Sequence, residues 1–324
     1  MKALRFDRFG DLSVLRIQEL PTPQIGKDEV LVRVHAASIN PSDVKNVQGR
    51  MEGTTLPRTP GRDFAGVVVS GPPELAGQEV FGTGGDVGFT RDGSHAEFIV
   101  VPAQGVALKP KPLSMEEAAS IGVNYLAVYI GLVQRASVSS GEVVLVTGAS
   151  GGVGTAVIQL AKWKGARVIA VDLRTLPPEK LREQGIELQI DVSSQDYDGM
   201  IKQVQAFTAG KGANIAFDCV GGPLFEPSLR SLGQLGRQVN IVSVGTRQVS
   251  FDLTDFYHRQ LSLYGVDTRA YDTVASAEIL RQLTPGFESG ALRPAPIVSR
   301  YPLDQAVEAY KEVNSGAKGK VVLG

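Results

Sequence analysis

The sequence predicts an α/β protein in which a β-rich module comes first and a parallel sheet follows. Two observations predict this order. Short apolar runs separated by Gly- and Pro-rich turns fill the first part of the chain, which is typical of compact β structure. Continuous apolar runs then alternate with helix-like segments, as the β-α-β units of a parallel sheet require. A length of 324 residues fits about two domains.

The first module is predicted from runs that alternate between apolar and polar residues. In residues 30–36, every second residue from Val30 onwards is apolar, and these residues share one face of a strand. Arg33 and His35 lie on the other face. We therefore expect a half-buried strand with His35 towards solvent. Further strand-like runs cover 64–70, 79–81 and 96–102.

The residue pattern changes from strand-like to helix-like at Ser114, where an N-cap serine and two early carboxylates precede apolar residues at helical spacing. The segment 114–133 is predicted to be helical, and we place the first domain boundary near it. The rest is described by its predicted elements: strands at 143–147, 167–171, 214–220, 238–244 and 261–266, helices in TAVIQLAKWKG, PPEKLREQG, TVASAEILRQL and DQAVEAYKEV, and a closing strand in KGKVVLG. We expect this C-terminal segment to rejoin the first module.

Composition and charge exclude several function classes. Lys and Arg number 33 against 34 for Asp and Glu, so no basic surplus is available for nucleic acid or anionic lipid. A single cysteine, Cys219, excludes an internal disulfide and a zinc site built on two thiolates, and it suits a reducing cytoplasm. No apolar run approaches 18 residues and no apolar stretch follows the basic start MKALRFDRFG, so we expect neither a membrane span nor a signal peptide. These features predict a cytoplasmic protein that binds neither nucleic acid nor membranes.

The strongest local motif is the segment VLVTGASGGVGTAVIQLAKWKGARVIAVD at 144–172. Its glycine-rich turn lies between a predicted strand and a predicted helix. Asp172 ends the next predicted strand, 18 residues after Gly154. This context predicts that the turn binds the diphosphate of a dinucleotide through helix N-terminal N–H groups. The residues expected to contact the cofactor are Ala149, Ser150, Gly151, Gly152, Val153 and Gly154, with Ala149 replacing the usual first glycine.

The choice between NADH and NADPH depends on the group that faces the adenosine ribose. Asp172 is expected to accept hydrogen bonds from free ribose hydroxyls and to repel a 2′-phosphate. Arg174 and Lys180 follow closely, and either one could reach a phosphate if Asp172 turned aside. The sequence favours NADH and leaves NADPH open.

These motifs resemble the medium-chain dehydrogenase/reductase superfamily, in particular its zinc-independent NAD(P)H:quinone oxidoreductase branch. The resemblance spans nearly the whole chain and is carried by residues 29–49, 59–71, 93–102, 144–172, 214–222 and the terminal GKVVLG. It implies a GroES-like β-barrel catalytic domain interrupted by a Rossmann doubly wound parallel sheet. The implied boundaries are 1–121 for the first part of the catalytic domain, 122–265 for the Rossmann domain and 266–324 for the return.

The resemblance also predicts that the site lacks zinc. Zinc-dependent members place metal ligands where this chain has Asn40 and Arg62, and a third near Val123. The remaining candidates, one cysteine and three scattered histidines, cannot rebuild a site of three or four converging donors. His95 and His258 are most simply structural residues.

The residues predicted to act on the substrate lie where zinc-dependent members hold their metal. Asn40 and Asp43 belong to the implied active-site cleft, and Lys45 stands where many quinone reductases carry Tyr and plant-type enone reductases carry Lys. The Lys45 ammonium is a candidate donor to the charge that develops on a carbonyl oxygen, with a solvated surface lysine as the alternative.

Other predicted cofactor contacts lie further along the chain. Relatives commonly carry Thr at the position of Ala127, and Asn124, one helical turn earlier, is the candidate replacement. Four residues expected at the carboxyl ends of later strands are predicted to line the nicotinamide end: Cys219, Val220, Ser243 and Val244.

The predicted function is direct, zinc-free hydride transfer from NAD(P)H to a small-molecule quinone or α,β-unsaturated carbonyl. Two alternatives stay open: a nucleotide-binding protein of crystallin or adaptor type with little turnover, and a metal-free alcohol dehydrogenase. The resemblance further implies a homodimer joined through edge strands of the parallel sheets, around residues 249–251 and 261–263.

Overall fold

The computed structural model describes all 324 residues, which form two compact units. The first unit comprises residues 1–126 and 268–324, and the second comprises residues 127–267. The sequence placed the two changes of domain at 121/122 and 265/266. No helix in the structure combines the length and the apolar character needed to cross a membrane.

The first unit is built on an extended, mostly antiparallel sheet. Its strands are β1 Lys2–Arg5, β2 Arg16–Glu19, β3 Glu29–Ile39, β4 Asp63–Ser70, β5 Glu79–Gly82, β6 Phe98–Pro102, β7 Ala107–Leu108, β14 Ile297–Tyr301 and β15 Lys320–Leu323. The main sheet has the order β14-β15-β3-β4-β5-β7, with β6 also paired to β3, while β1 and β2 pair separately. Because β15 pairs antiparallel with β3, the C-terminal segment contributes a strand to the first unit.

The alternation predicted at residues 30–36 is observed in β3. Val30, Val32 and Ala36 are buried, whereas Arg33 and His35 are exposed. Helices pack around this sheet: α1 Pro41–Val47, α2 Met115–Ala119, α9 Thr273–Glu288 and α10 Ala306–Asn314, with α3 Gly122–Val128 at the transition to the second unit.

The helix predicted at 114–133 is broken in the structure. Ser114 caps α2 as expected, because its Oγ accepts the Glu117 N–H at 3.2 Å. The chain then turns at Ser120 and resumes as α3, followed by a π-helical stretch at Tyr129–Arg135. Ser120 donates its hydroxyl to the Glu117 carbonyl at 2.7 Å, which ends the first helix by competing for its backbone acceptor.

The second unit is a six-stranded parallel sheet with helical crossovers. Its elements in chain order are β8 Val143–Thr147, α4 Gly152–Trp163, β9 Arg167–Asp172, α5 Pro178–Gln184, β10 Leu188–Asp191, α6 Tyr197–Phe207, β11 Ala213–Asp218, α7 Phe225–Arg230, β12 Leu232–Asn240, α8 Leu253–His258 and β13 Ser262–Gly265. The strand order β10-β9-β8-β11-β12-β13 reverses direction between β8 and β11. Ligands of such sheets bind at the carboxyl ends of the strands beside this reversal.

Three predicted boundaries in the later part of the chain were wrong. β11 ends at Asp218, so Cys219 and Val220 follow the strand, because the Asp218 carboxylate accepts the N–H groups of the next turn. β12 runs over Leu232–Asn240 and not 238–244, since its neighbour β13 provides no partner beyond Gly265. The helix α9 continues through Pro285 to Glu288.

Candidate active site and cofactor site

The turn between β8 and α4 is closely packed around Gly154. A Cβ atom on Gly154 would lie 2.2 Å from the Gly148 carbonyl oxygen and 2.8 Å from the Ala149 Cα, so only glycine fits. The close approach is therefore to the backbone of the turn itself. Ala149 is buried and donates its N–H to the Val171 carbonyl at 3.3 Å, which holds the turn against β9.

The N-terminus of α4 is open to a ligand. Gly151 is the N-cap residue, and Ser150, Gly151 and Gly152 are exposed while Val153 is half-buried. The N–H groups of Gly152 and Val153 begin the helix, where helical geometry provides no intrahelical acceptor. This end of the helix therefore offers free N–H donors and a positive dipole end to a phosphate.

Asp172 is tied to this turn by two backbone hydrogen bonds. Its Oδ2 accepts the Ser150 N–H at 2.7 Å, and its Oδ1 accepts the Leu173 N–H at 2.8 Å. Arg174 is exposed, and its backbone carbonyl accepts Gln189 Nε2 at 2.8 Å. The structure therefore brings Ser150 and Asp172 together and fixes a negative charge beside the turn.

The loops after β11 and β12 also meet. The Val244 N–H donates to the Val220 carbonyl at 2.8 Å, and the Ser243 hydroxyl donates to the Thr246 carbonyl at 2.7 Å. A cavity of about 260 Å³ opens here, and its lining includes Gly221, Ser243 and Tyr264. A second cavity of about 940 Å³ lies at the amino ends of the strands and contains none of the predicted site residues.

Asp218 organises the loop that carries Cys219. Its Oδ1 accepts the Thr147 hydroxyl at 2.5 Å and the N–H groups of Val220 and Gly221 at 3.0 and 2.9 Å. The Thr147 hydroxyl in turn accepts the Cys219 N–H at 3.0 Å. Burial, reinforced by the Asp218 charge, raises the pKa of the Cys219 thiol, so this residue is a poor nucleophile.

In the first unit, Asn40 and Asp43 are buried, and their polar groups are engaged within the protein. Asn40 donates Nδ2 to Asp63 Oδ2 at 2.9 Å and its backbone N–H to Asp43 Oδ2 at 2.7 Å. Burial raises the pKa of Asp43 to about 7, even though the hydrogen bond from Asn40 favours the charged form. Both residues therefore belong to a buried cluster at the start of α1.

Lys45 differs from these two residues. It lies on α1 (Pro41–Val47), is half-buried, and has no side-chain hydrogen bond or ion pair within the protein. Among the three predicted catalytic side chains, only that of Lys45 has an unengaged charged group. Asn124, the remaining predicted contact, is half-buried on α3 (Gly122–Val128).

The histidines have structural surroundings. His95 is buried, with Nδ1 2.8 Å from the Tyr310 hydroxyl and Nε2 3.2 Å from the Ser38 carbonyl. A carbonyl can only accept, so Nε2 carries the proton and Nδ1 accepts from Tyr310. Burial lowers the pKa of His95 to about 4, which keeps the ring neutral. His258 ends α8 and is exposed.

Sequence reasoning missed the two buried charged residues that hold the Asn40 side chain, Asp63 and Lys320. Asp63 opens β4, and Lys320 opens β15; both side chains reach Asn40. No local signal marks them: each is a charged residue at the start of an apolar strand run, and so is Arg167 at the start of β9, which is exposed. The burial of Asp63 and Lys320 follows from strand pairing and not from the sequence beside either residue.

The positions where zinc-dependent members have ligands are occupied by residues with other partners. Arg62 is buried and donates Nε to the Gly84 carbonyl at 2.8 Å and Nη1 to the Thr268 hydroxyl at 2.9 Å. The Val123 N–H donates to Asp63 Oδ1 at 3.0 Å. No group of three or more His, Cys, Asp or Glu side chains is arranged to hold a metal ion. Zinc-free chemistry stays a prediction.

A parallel sheet of this strand order, with a glycine-rich turn before α4 and an acid after the next strand, defines a dinucleotide-binding protein. Comparison with known proteins identifies the class more narrowly. The family model described as the alcohol dehydrogenase GroES-like domain matches residues 26–111, and the one described as zinc-binding dehydrogenase matches residues 152–282.

Three curated relatives align with the whole chain. A zinc-type alcohol dehydrogenase-like protein of Schizosaccharomyces pombe is 33% identical, and 97% of its length is covered. The 2-methylene-furan-3-one reductase of Solanum lycopersicum is 32% identical with 79% covered, and human quinone oxidoreductase is 30% identical with 97% covered. Relatives of this similarity and coverage share one family.

Two solved structures show the same fold over all of this chain and 99% of their own. An NAD-dependent alcohol dehydrogenase superimposes with a TM-score of 0.86 at 31% identity. A mycobacterial protein in complex with NADPH superimposes with a TM-score of 0.82 at 25% identity.

The chain belongs to the medium-chain dehydrogenase/reductase superfamily, in its quinone-reductase branch. The predicted fold class, a GroES-like domain with a Rossmann-type parallel sheet, is confirmed. The protein is an enzyme of the NAD(P)H-dependent oxidoreductase class.

Proposed function

We propose that this enzyme reduces quinones or α,β-unsaturated carbonyls by direct hydride transfer, without zinc, and that NADH is its preferred cofactor. The observation that carries the proposal is the Lys45 ammonium, which is unpaired within the protein. An unpaired cation beside a substrate carbonyl stabilises the negative charge that a reduction produces on the oxygen.

The second unit fits a nicotinamide dinucleotide. A side chain at Gly154 would displace the Gly148–Ala149 backbone, and the free N–H groups of Gly152 and Val153 suit a diphosphate. The residues that would hold the adenosine and diphosphate are Ala149, Ser150, Gly151, Gly152, Val153, Gly154 and Asp172, and those for the nicotinamide end are Asn124, Cys219, Val220, Ser243 and Val244. The bound cofactor supplies the hydride.

The preference for NADH is argued from Asp172. Both of its oxygens accept backbone N–H groups, so turning the carboxylate aside would break two hydrogen bonds. Its charge therefore stays beside the turn and repels a 2′-phosphate. Arg174, which would have to read that phosphate, is an exposed side chain with no such anchor.

The substrate class is argued from the chemistry of Lys45 and from the relatives. The Lys45 ammonium can donate a hydrogen bond and carries a positive charge. Both properties suit the reduction of a polarised carbonyl or enone. Of the three relatives described above, one is named a quinone oxidoreductase and one a 2-methylene-furan-3-one reductase, and a 2-methylene-furan-3-one is an α,β-unsaturated ketone. The single free cysteine further supports a reducing cytoplasm as the place of action.

The test is a steady-state assay of the purified enzyme with NADH or NADPH and a panel of quinones and enones. We expect oxidation of NADH by at least one substrate, unaffected by a zinc chelator. Tight binding of reduced cofactor with no turnover would favour the nucleotide-binding alternative. Alcohol-dependent reduction of the oxidised cofactor would favour the alcohol dehydrogenase.

We also propose a homodimer formed through β13 (Ser262–Gly265), which is an edge strand of the parallel sheet. An unpaired edge can continue the sheet of a second copy. Residues 249–251 are not a strand, and Phe251 packs against Phe225 and Phe256 within the unit, so they are left out of the proposed pairing. Light scattering at the size-exclusion peak should give twice the mass of one chain.

A further inference from the structure

Three neighbouring strands of the first unit bring a buried cation, an amide and an anion together. In the order β15-β3-β4, Val321 stands opposite Ile39, and Ser38 stands opposite Asp63. Lys320 precedes Val321 in the chain and Asn40 follows Ile39, so both reach the same end of the sheet as Asp63. Their positions in the chain are far apart, and only the pairing of the strands joins them.

Asn40 is held at both ends of its carboxamide. Lys320 Nζ donates to Asn40 Oδ1 at 2.8 Å, and Asn40 Nδ2 donates to Asp63 Oδ2 at 2.9 Å. If the amide were rotated by half a turn, its NH₂ group would face the ammonium and its oxygen would face the carboxylate. Both contacts would then be repulsive, so the two charges select one orientation of the amide.

The two charges interact with Asn40 more closely than with each other. Lys320 Nζ and Asp63 Oδ2 are 4.0 Å apart, beyond hydrogen-bond distance, although both side chains are buried. The Asp63 carboxylate also accepts hydrogen bonds from the Ser38 hydroxyl at 3.1 Å and the Val123 N–H at 3.0 Å. A buried ion pair often contributes less stability than apolar residues of the same volume, so stability alone does not account for this pair.

Asn40 connects this pair to the helix that carries Lys45. It is the N-cap residue of α1, and its backbone N–H donates to Asp43 Oδ2 at 2.7 Å. The contact with the helix is made by the Asn40 backbone, while the Asn40 side chain is held by Lys320 and Asp63. These two charged residues therefore anchor the residue from which α1 starts, and Lys45 lies on that short helix.

We infer that Lys320 and Asp63 are positioning residues: they hold the Asn40 carboxamide in a single orientation and, through Asn40, place α1 and Lys45 for reaction. The consequence for turnover rests on the proposed function. The effect on Asn40 rests on the contacts alone and is measurable without a substrate.

The kinetic experiment compares Lys320→Met, Asp63→Asn and the double variant with wild type. Lys318→Met is the matched control, because Lys318 is exposed and has no partner within the protein. We expect Lys320→Met to lower kcat about tenfold or more, the size of one lost hydrogen bond to a charged group, with KM for the cofactor unchanged. The double variant should regain thermal stability, since no unpaired charge remains, but not kcat. Recovery of kcat together with stability would overturn the inference.

A second comparison tests whether Lys320 acts through Asn40. If it does, adding Lys320→Met to Asn40→Ala should lower kcat no further than Asn40→Ala alone. Losses that multiply in the double variant would show that Lys320 acts independently of Asn40, and the inference would be wrong.

A spectroscopic experiment decides the matter without turnover. The side-chain amide resonances of Asn40, assigned by their loss in Asn40→Ala, should exchange slowly with water in wild type. They should shift and exchange at least about tenfold faster in Lys320→Met but not in Lys318→Met. Unchanged exchange would overturn the inference. If wild type reduces no quinone or enone, the proposed function fails, and this measurement alone still tests the positioning of Asn40.

Discussion

The turn from Gly148 to Gly154 and the cluster around Asn40 differ in how far apart their residues stand in the chain. The turn is continuous, and even Asp172, which closes it, follows within one β-α-β unit. The cluster joins Asn40 to Asp63 and to Lys320, which is 280 residues away. The first feature depends on local backbone geometry and the second on strand pairing. The proposed cofactor site is therefore visible in the sequence, whereas a cluster assembled by strand pairing is not.

The largest effect is expected from Gly154→Ala in the turn. Its Cβ would lie 2.2 Å from the Gly148 oxygen, so the turn must move, and affinity for NADH should fall about 100-fold or more. Gly26→Ala in the first unit is the control, because Gly26 is exposed and a Cβ there meets only the Glu29 side chain, at 3.1 Å. Calorimetric titration measures both. Wild-type affinity in Gly154→Ala would show that the turn does not hold the diphosphate.

The next effect concerns Lys45, which lies on the helix that the buried cluster is proposed to position. Lys45→Met should lower kcat about 100-fold, because roughly 3 kcal/mol of stabilisation of the developing charge is lost. The affinity for NADH should not change, since that measurement involves the other unit. Lys45→Arg keeps the charge and should retain more activity. Wild-type rates in Lys45→Met would assign Lys45 to a solvated surface role.

A smaller effect is expected at Asp172. It tests whether the acid that follows the turn sets the preference for NADH. Asp172→Ser removes the charge beside the turn, and the preference for NADH over NADPH should fall about tenfold. Asp198→Ser is a matched control, because Asp198 is an exposed carboxylate of the same unit that lies on α6 and pairs with Arg230. The ratio of kcat/KM for the two cofactors is the measurement. An unchanged ratio would contradict the assigned role of Asp172.

A further effect concerns stability and not turnover: the pH dependence of unfolding that the cluster contributes. Burial raises the pKa of Asp43 to about 7, so the native chain retains a proton that the unfolded chain releases at lower pH. This contribution makes wild type less stable as pH rises towards 7, by at most about 1.4 kcal/mol per pH unit. His95, whose pKa burial lowers to about 4, contributes stability that is lost as pH falls below its unfolded pKa, so the two effects oppose each other.

Asp43→Asn isolates the contribution of the carboxyl, because His95 is the same in both proteins. The free energy of unfolding of the variant minus that of wild type should increase between about pH 5 and pH 7 and level off above. Urea unfolding at a series of pH values measures this difference. A constant difference would mean that Asp43 is ionised throughout the range.

Much of the second unit could be predicted because its signals are local. Apolar runs, crossover helices and the spacing from Gly154 to Asp172 follow from strand, turn and helix geometry within short segments. Predictions failed where a side chain ended an element: Asp218 turns the chain after β11, and Ser120 divides the helix expected at 114–133. Where an element ends in this way depends on which backbone group the polar side chain hydrogen-bonds, and the sequence pattern does not show that.

The sequence by itself determined the class of fold, the β-α-β unit around the glycine-rich turn and the acid that follows it, because short-range backbone geometry and apolar periodicity encode them. Tertiary structure alone decided that Asn40 and Asp43 are buried, that Lys45 is unpaired, and that Lys320 meets Asp63 across Asn40. The physical reason is that strand pairing brings distant residues into contact, and burial then decides which of their charges are paired.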